Sequence, residues 1–388
     1  AFSDPVLNAA RFNYQASKEL YWQGLSLLLP QATAVPGGTR YYQHTAGNAP
    51  ANALTGSRVY DQKNYTVTLT QPVFNMAALE AFKQGDLNTK IADMRFYLAQ
   101  QDLIIRVSQA YFDALTSQDN VALYKNKKDL IKQQLEAAQA KFDAGLATIV
   151  DVNTAQAALD LANSQEIAAQ ADLIVKRGAL EQIVGRPVGA LKPLVKDAKI
   201  DGVLKDPRSK SKDAKGYPIA DSVNPSLPPG QTLDDWILQA ETANFNVLAG
   251  QLSVNLAESS YRASQALNYP TVNFVGTAGY NTSNGTANSL TPAQTNIYNN
   301  TIALQMNIPL VSGGYASSVI RQNAALLDVA KANYDNARRT AAQNTRAAFT
   351  GFYGGLASVK AYEAAERSSS SALESSKLGF QVSTLINI

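Results

Sequence analysis

Two hydrophobic periods alternate along the chain. In YTVTLTQ (65–71), Tyr65, Val67 and Leu69 alternate with Thr66, Thr68 and Thr70. In TIALQMNI (301–308), Ile302, Leu304, Met306 and Ile308 alternate with Thr301, Ala303, Gln305 and Asn307. In TVNFVGTAGY (271–280), Val272, Phe274, Ala278 and Tyr280 share one parity, with Asn273 and Thr277 on the other. Successive strand side chains point to opposite faces, so period two predicts half-exposed strands. Four are expected, near 31–43, 60–72, 270–281 and 298–310. The first is the weakest, because Pro36, Gly37 and Gly38 disturb its pattern. Elsewhere the spacing changes to three and four, as in Ile91, Met94, Leu98 and in Ile131, Leu135, Ala138, Phe142. That spacing predicts helices packed along a seam. From about Met76 to Lys141 there is no Pro and one Gly, Gly85. An unbroken helix there would be about 100 Å long. A similar run from about Ala316 to Phe380 is interrupted at Gly351, Gly354 and Gly355. Gly145 breaks the first run, and Asp151 falls in the first turns of the next helix, where the helix dipole favours an acid.

The plan occurs twice. LLLPQATAV (27–35) and YTVTLTQPVFN (65–75) lead into QAYFDAL (109–115) and KFDAGLATIVDV (141–152). ALNYPTVNF (266–274) and TIALQMNIPLVSGG (301–314) lead into RAAFTGF (346–352) and GFQVSTLINI (379–388). Phe112 and Phe349 each lie 40 residues after Pro72 and Pro309, and Phe142 and Phe380 lie 70 and 71 residues after them. Such spacing argues an internal duplication. The expected layout is a first repeat over 1–188, an insert rich in Pro, Lys, Asp and Gly over 189–232, and a second repeat over 233–388. The insert reads equally as a linker or as a functional element.

Composition narrows the class. The 388 residues are 45% hydrophobic and 17% charged, with net charge +3. A folded chain without a basic stripe is implied, with no nucleic-acid partner. There is no Cys and one His, His44, which excludes thiolate and His-rich metal sites. No apolar run reaches 18 residues, so no transmembrane helix is encoded; barrel strands would not register on that test. The chain opens at Ala1 without a signal-peptide pattern and is read as mature or trimmed. No P-loop, H-E-x-x-H or G-x-S-x-G occurs, so no enzyme, cofactor or metal is expected.

Alternation alone fits either a soluble sheet with one wet face or membrane strands. The polar parity, rich in Thr, Asn and Gln, suits a hydrated lumen. The apolar parity (Tyr65, Val67, Leu69, Val272, Phe274, Ile302, Leu304 and Met306) would then face lipid. Tyr60, Tyr65, Tyr280 and Tyr298 sit near strand ends, where an interfacial girdle would lie. Four strands cannot close a barrel, and open edges in lipid leave backbone groups unsatisfied. Membrane strands here therefore require an oligomer. The Ala-rich helices have little bulky apolar surface, as a tube around water would. A soluble coiled-coil scaffold is the alternative from another class.

These segments resemble the TolC family of outer-membrane factors. The resemblance is carried by DPVLNAARFNYQASK (4–18), LTQPVFN (69–75), QQDLIIRVSQAYFDAL (100–115), KFDAGLATIVDVNTAQAALDLA (141–162), ALEQIVGRPVG (179–189) and LQMNIPLVSGG (304–314). It spans nearly the whole chain, and its wording is nearest to the type I secretion branch, with multidrug efflux as the alternative. It implies a mixed α and β membrane protein in the outer membrane of a Gram-negative bacterium, extending into the periplasm. Three chains would each give four strands to a twelve-stranded barrel, continued by a long helical tunnel with an equatorial belt near 189–232. A periplasmic adaptor and an inner-membrane transporter of ABC type would dock and open the closed end for an exported polypeptide or small molecule. By the resemblance, Asp151, Phe380 and Asn387 belong to the periplasmic gate. Gly145 and Leu146, with Val382 and Ser383, mark two helix-turn-helix tips that touch the adaptor. Phe380 lacks the hydroxyl often found there, Val382-Ser383-Thr384 is two residues short of the pattern, and Asn387 stands where an aspartate is common. The family continues beyond the position of Ile388 into a return helix, so the chain is expected to be cut or incomplete there.

Overall fold

The computed structural model describes residues 4–45, 56–194, 232–285 and 294–386. The fold is mixed α and β, and mostly helical. In chain order the elements are α1 (Pro5–Ser26), β1 (Gln31–Thr45), β2 (Gly56–Phe74), α2 (Met76–Asp143) and α3 (Ile149–Val184). They continue as α4 (Leu233–Ala243), α5 (Phe245–Gln265), β3 (Thr271–Ser283), β4 (Thr295–Asn307) and α6 (Tyr315–Ile386). All four strands lie where expected but run longer at their loop ends. The insert is outside the described residues apart from 189–194 and Thr232.

Two compact units are built from this chain. One comprises Arg11–Phe96 and Ala249–Tyr334 and holds the sheet, an antiparallel meander ordered β1-β2-β3-β4. Pro36 and Gly37 do not break β1. Pro36 lies in an edge strand, where a missing N–H costs least, and a Cβ on Gly37 would come within 2.3 Å of the Asn64 amide oxygen. The β2–β3 register shifts between Pro72 and Phe74, leaving Val73 unpaired directly after the residue that has no N–H to donate. In the same unit α1 lies backbone to backbone on α2. A Cβ on Gly85 would stand 2.4 Å from the Leu20 carbonyl oxygen, and one on Gly24 2.9 Å from the Phe82 Cα. Tyr14 stacks on Phe96 with centroids 5.2 Å apart.

The fully buried Glu80 joins α2 to α5. It accepts from the Ser259 hydroxyl at 2.8 Å and from the Lys83 ammonium at 2.6 Å. Burial pushes its carboxyl up, but Lys83 and Ser259 outweigh that and hold it below its ordinary value.

The second unit comprises Ala1–Ala10, Tyr97–Leu248 and Asp335–Ile388. Its apolar core is small: Ala110, Ala114, Leu115, Leu180 and Leu191, flanked by Tyr111, Ile183, Val184 and Val188. Beyond it α2 and α3 are joined by polar pairs. The Ser117 hydroxyl donates to Asp172 at 2.7 Å, Lys127 to Gln165 at 3.0 Å, and Lys128 pairs with Glu166. The buried Asp4 caps α1 through the Leu7 N–H at 2.9 Å and accepts from Arg106 at 2.8 Å.

α6 is one helix of 72 residues and passes through Gly351, Gly354 and Gly355 unbroken. The expected interruption is therefore absent. A glycine costs roughly 1 kcal/mol in a helix interior, too little to end a helix of this length. α6 also continues past Val382-Ser383-Thr384, so no turn forms there within the described backbone.

Candidate functional site

The strand register sorts side chains onto two unlike faces. On one face Val67 is opposite Ala278, Leu69 opposite Gly276, and Phe274 opposite Leu304. Gly276 is also opposite Ile302, and Val272 opposite Met306. Tyr65 is opposite Tyr280, which is opposite Tyr298; the first pair is stacked with centroids 6.3 Å apart and the second tilted at 4.8 Å. All eight residues expected to be lipid-facing thus share one face. Seven are exposed, Ile302 by 80%, and Val272 is half-buried. Gln71 and Asn300 interrupt this face, and the Gln71 amide donates to the Leu28 carbonyl at 2.9 Å.

The other face carries Thr33, Thr66, Thr68, Thr70, Asn64, Thr277, Asn281, Thr301 and Gln305. Among the described strand residues every Asp, Glu, Lys and Arg lies in the loop-side part of β1 and β2: Arg40, Arg58, Asp61 and Lys63. Arg40 and Asp61 form a two-pronged pair at 2.7 and 3.0 Å. Tyr60 does not join the tyrosine series. It pairs with Tyr41 on the polar face, because it is an even residue of β2 where Tyr65 is odd. Among the described residues both sheet edges are open: β1 bonds only β2, and β4 only β3.

The α2–α3 turn is the second candidate region. α2 ends at Asp143, and Gly145 takes φ +72°, a conformation other residues rarely adopt. Leu146 is 80% exposed, and Ile149 and Val150 are also exposed. Asp151 closes a capping box with Thr148. Its Oδ2 accepts from the Thr148 N–H and the Thr148 hydroxyl, both at 2.8 Å, and its own N–H donates back to the hydroxyl at 3.4 Å. The Thr148 backbone N–H, then its hydroxyl, hold the Asp151 carboxyl below its ordinary value. Sequence reasoning singles out Asp151 without its partner Thr148, although Thr-x-x-Asp before an apolar helix is a legible capping signature. Phe380, Val382 and Ser383 are helical in backbone, and their side chains lie outside the described residues. Asn387 lies outside them altogether.

A four-stranded sheet with one mainly apolar and one mainly polar face, set in a chain of very long helices, is the fold of outer-membrane channels of known structure. The outer membrane efflux protein family model matches residues 3–186 and 236–382. The chain belongs to that family, one of channel proteins and not of enzymes, in the outer membrane of Gram-negative bacteria. It is 26% identical over 383 residues to the outer membrane protein TolC of Vibrio cholerae, covering 98% of this chain and 79% of that one. It is 25% identical over 395 residues to the proteases secretion protein PrtF of Dickeya chrysanthemi, covering 100% and 78%. Among solved structures, the outer membrane protein VceC of Vibrio cholerae shares the fold with TM-score 0.64 at 14% identity, over 87% of this chain and 73% of that one.

Proposed function

We propose that three copies of this chain form a passive exit duct, each giving four strands to a twelve-stranded barrel that continues into a helical tunnel. The observation that carries this reading is the register: eight apolar side chains on one face, a Thr/Asn/Gln face behind it, and two open edges. In lipid those edges demand partners, because an unsatisfied backbone group there costs several kcal/mol. The layout is two structural repeats, 1–188 and 233–388, around an equatorial insert at 189–232.

The cargo is an unfolded polypeptide, as in type I secretion. The likeness to a proteases secretion protein supports this. The exposed Leu146, Ile149 and Val150 beside Gly145 offer an apolar knob to a periplasmic adaptor, which couples the duct to an inner-membrane ABC transporter. Val382 and Ser383 belong to the second contact region, and Asp151, Phe380 and Asn387 to the gate. Single-channel recording of the detergent-purified protein in a planar bilayer tests the reading. A small, steady conductance confined to the trimer fraction is expected. Solubility without detergent and no insertion would overturn it in favour of a coiled-coil scaffold. A deletion strain that still secretes polypeptide but loses drug resistance would move the cargo assignment to multidrug efflux.

A further inference from the structure

The polar sheet face, mostly Thr, Asn and Gln with Val35, Val275 and Ile297 among them, carries one aromatic pair. Tyr41 and Tyr60 stand directly opposite each other there, with ring centroids 4.9 Å apart and planes 18° from parallel. No other aromatic residue occupies that face among the described residues. A tyrosine on a wetted wall is not explained by burial in a core, and this pair is held in place. Gly285 packs against Tyr60 so closely that a Cβ on it would come within 2.9 Å of the Tyr60 Cβ. The Asn284 side chain accepts from the Asp61 N–H at 2.6 Å, and the Asn284 N–H donates to the Asp61 carbonyl at 3.1 Å, fixing that segment over the neighbouring residue. Tyr60 is thus backed on one side, while Tyr41 remains 39% exposed. A rigid, half-open ring is a surface on which another planar group can stack at little cost in ordering. Arg58 lies two residues further along on the same face, which disfavours cationic groups and leaves neutral aromatic ones.

We propose that Tyr41, backed by Tyr60, is a contact site for planar aromatic groups of the cargo as it passes the loop-side end of the conduit. The inference rests on the duct reading, in which the polar face lines that conduit. Its probe is an unstructured Gly/Ser peptide with three Trp residues, added to single channels beside the same peptide with Ser at those positions. Blockades by the Trp peptide are expected to last about three- to tenfold longer, the scale of one aromatic pair. Tyr41→Ser should reduce them to the Ser-peptide value, while Tyr41→Phe keeps them long and both variants keep the parent conductance. Shortening by free N-acetyltryptophanamide extends the site to any small aromatic compound; no competition restricts it to rings carried on a chain. Equal dwell times for the two peptides, or long blockades surviving Tyr41→Ser, would overturn the site while leaving the duct intact. Absence of any conductance from the parent protein would overturn the duct reading, and the site with it.

Discussion

The sheet and the α2–α3 hairpin are both thin structures without a deep core, yet they are specified differently. The sheet's information lies in parity. Moving one residue along β2, from Val67 to Thr68, changes the side chain from the apolar face to the polar one. The helical hairpin's information lies in discrete pairs, Ser117 with Asp172 and Lys128 with Glu166, set among alanines that allow close approach. One region therefore responds to the polarity of a substitution, the other to which partner is lost.

The largest expected effect breaks the parity rule. Val67→Arg in the proposed barrel should cost about 2–4 kcal/mol if it lies near the bilayer midplane. Thr68→Arg should assemble normally and alter only conductance; heat-modified mobility on gels would show equal loss for both if the faces were equivalent. Next comes Glu80, where the sheet unit uses a discrete pair of its own. Glu80→Ala removes the nearer, charged acceptor of the buried Ser259 hydroxyl and leaves it only the Glu80 backbone carbonyl at 3.2 Å, which should cost about 1–3 kcal/mol in denaturant unfolding. Because the folded carboxyl lies below its ordinary value of 4.5, its contribution is full above that pH and lost as pH falls through the folded value. Glu80→Gln should flatten this acid limb, and an unchanged limb would assign it to other carboxylates.

Thr148→Ala should cost about 1 kcal/mol at the start of α3, seen as faster amide exchange over 149–152. Asp151→Ala should loosen the same turn and also raise resting conductance. An equal rise in both variants would mean that Asp151 acts on the gate only through its own cap. The smallest effect is Ser117→Ala, below about 1 kcal/mol, since Asp172 is exposed and regains water. A larger loss would show that the hairpin depends on its polar pairs more than on its alanines.

Much of this was legible because period two is hard to produce by accident. The eight apolar strand residues could be named before any register was known, since each strand declares its own parity. What parity cannot declare is how the strands align, and so which rings meet across them; that Tyr60 and Tyr65 lie on opposite faces does follow from parity, since an odd offset of five residues separates them within β2. Pro36 and Gly37 looked like breakers because their tolerance depends on an edge and on Asn64, neither of which is local in sequence. Gly85 was visible only as an isolated glycine; its approach to Leu20 joins residues 65 positions apart. Phe380 and Asn387 are proposed for the gate on the resemblance alone; the Phe380 side chain and the whole of Asn387 lie outside the described residues.

The open edges of the sheet have a genetic consequence. If β4 of one copy must pair with β1 of the next, no copy has a folded solitary state to fall back on, and stability is inseparable from subunit concentration. A copy whose β4 edge is damaged would still offer a sound β1 to its neighbour and be drawn into mixed assemblies. With half the subunits damaged at random, only about one trimer in eight would be intact, so such an allele would be dominant over the normal one.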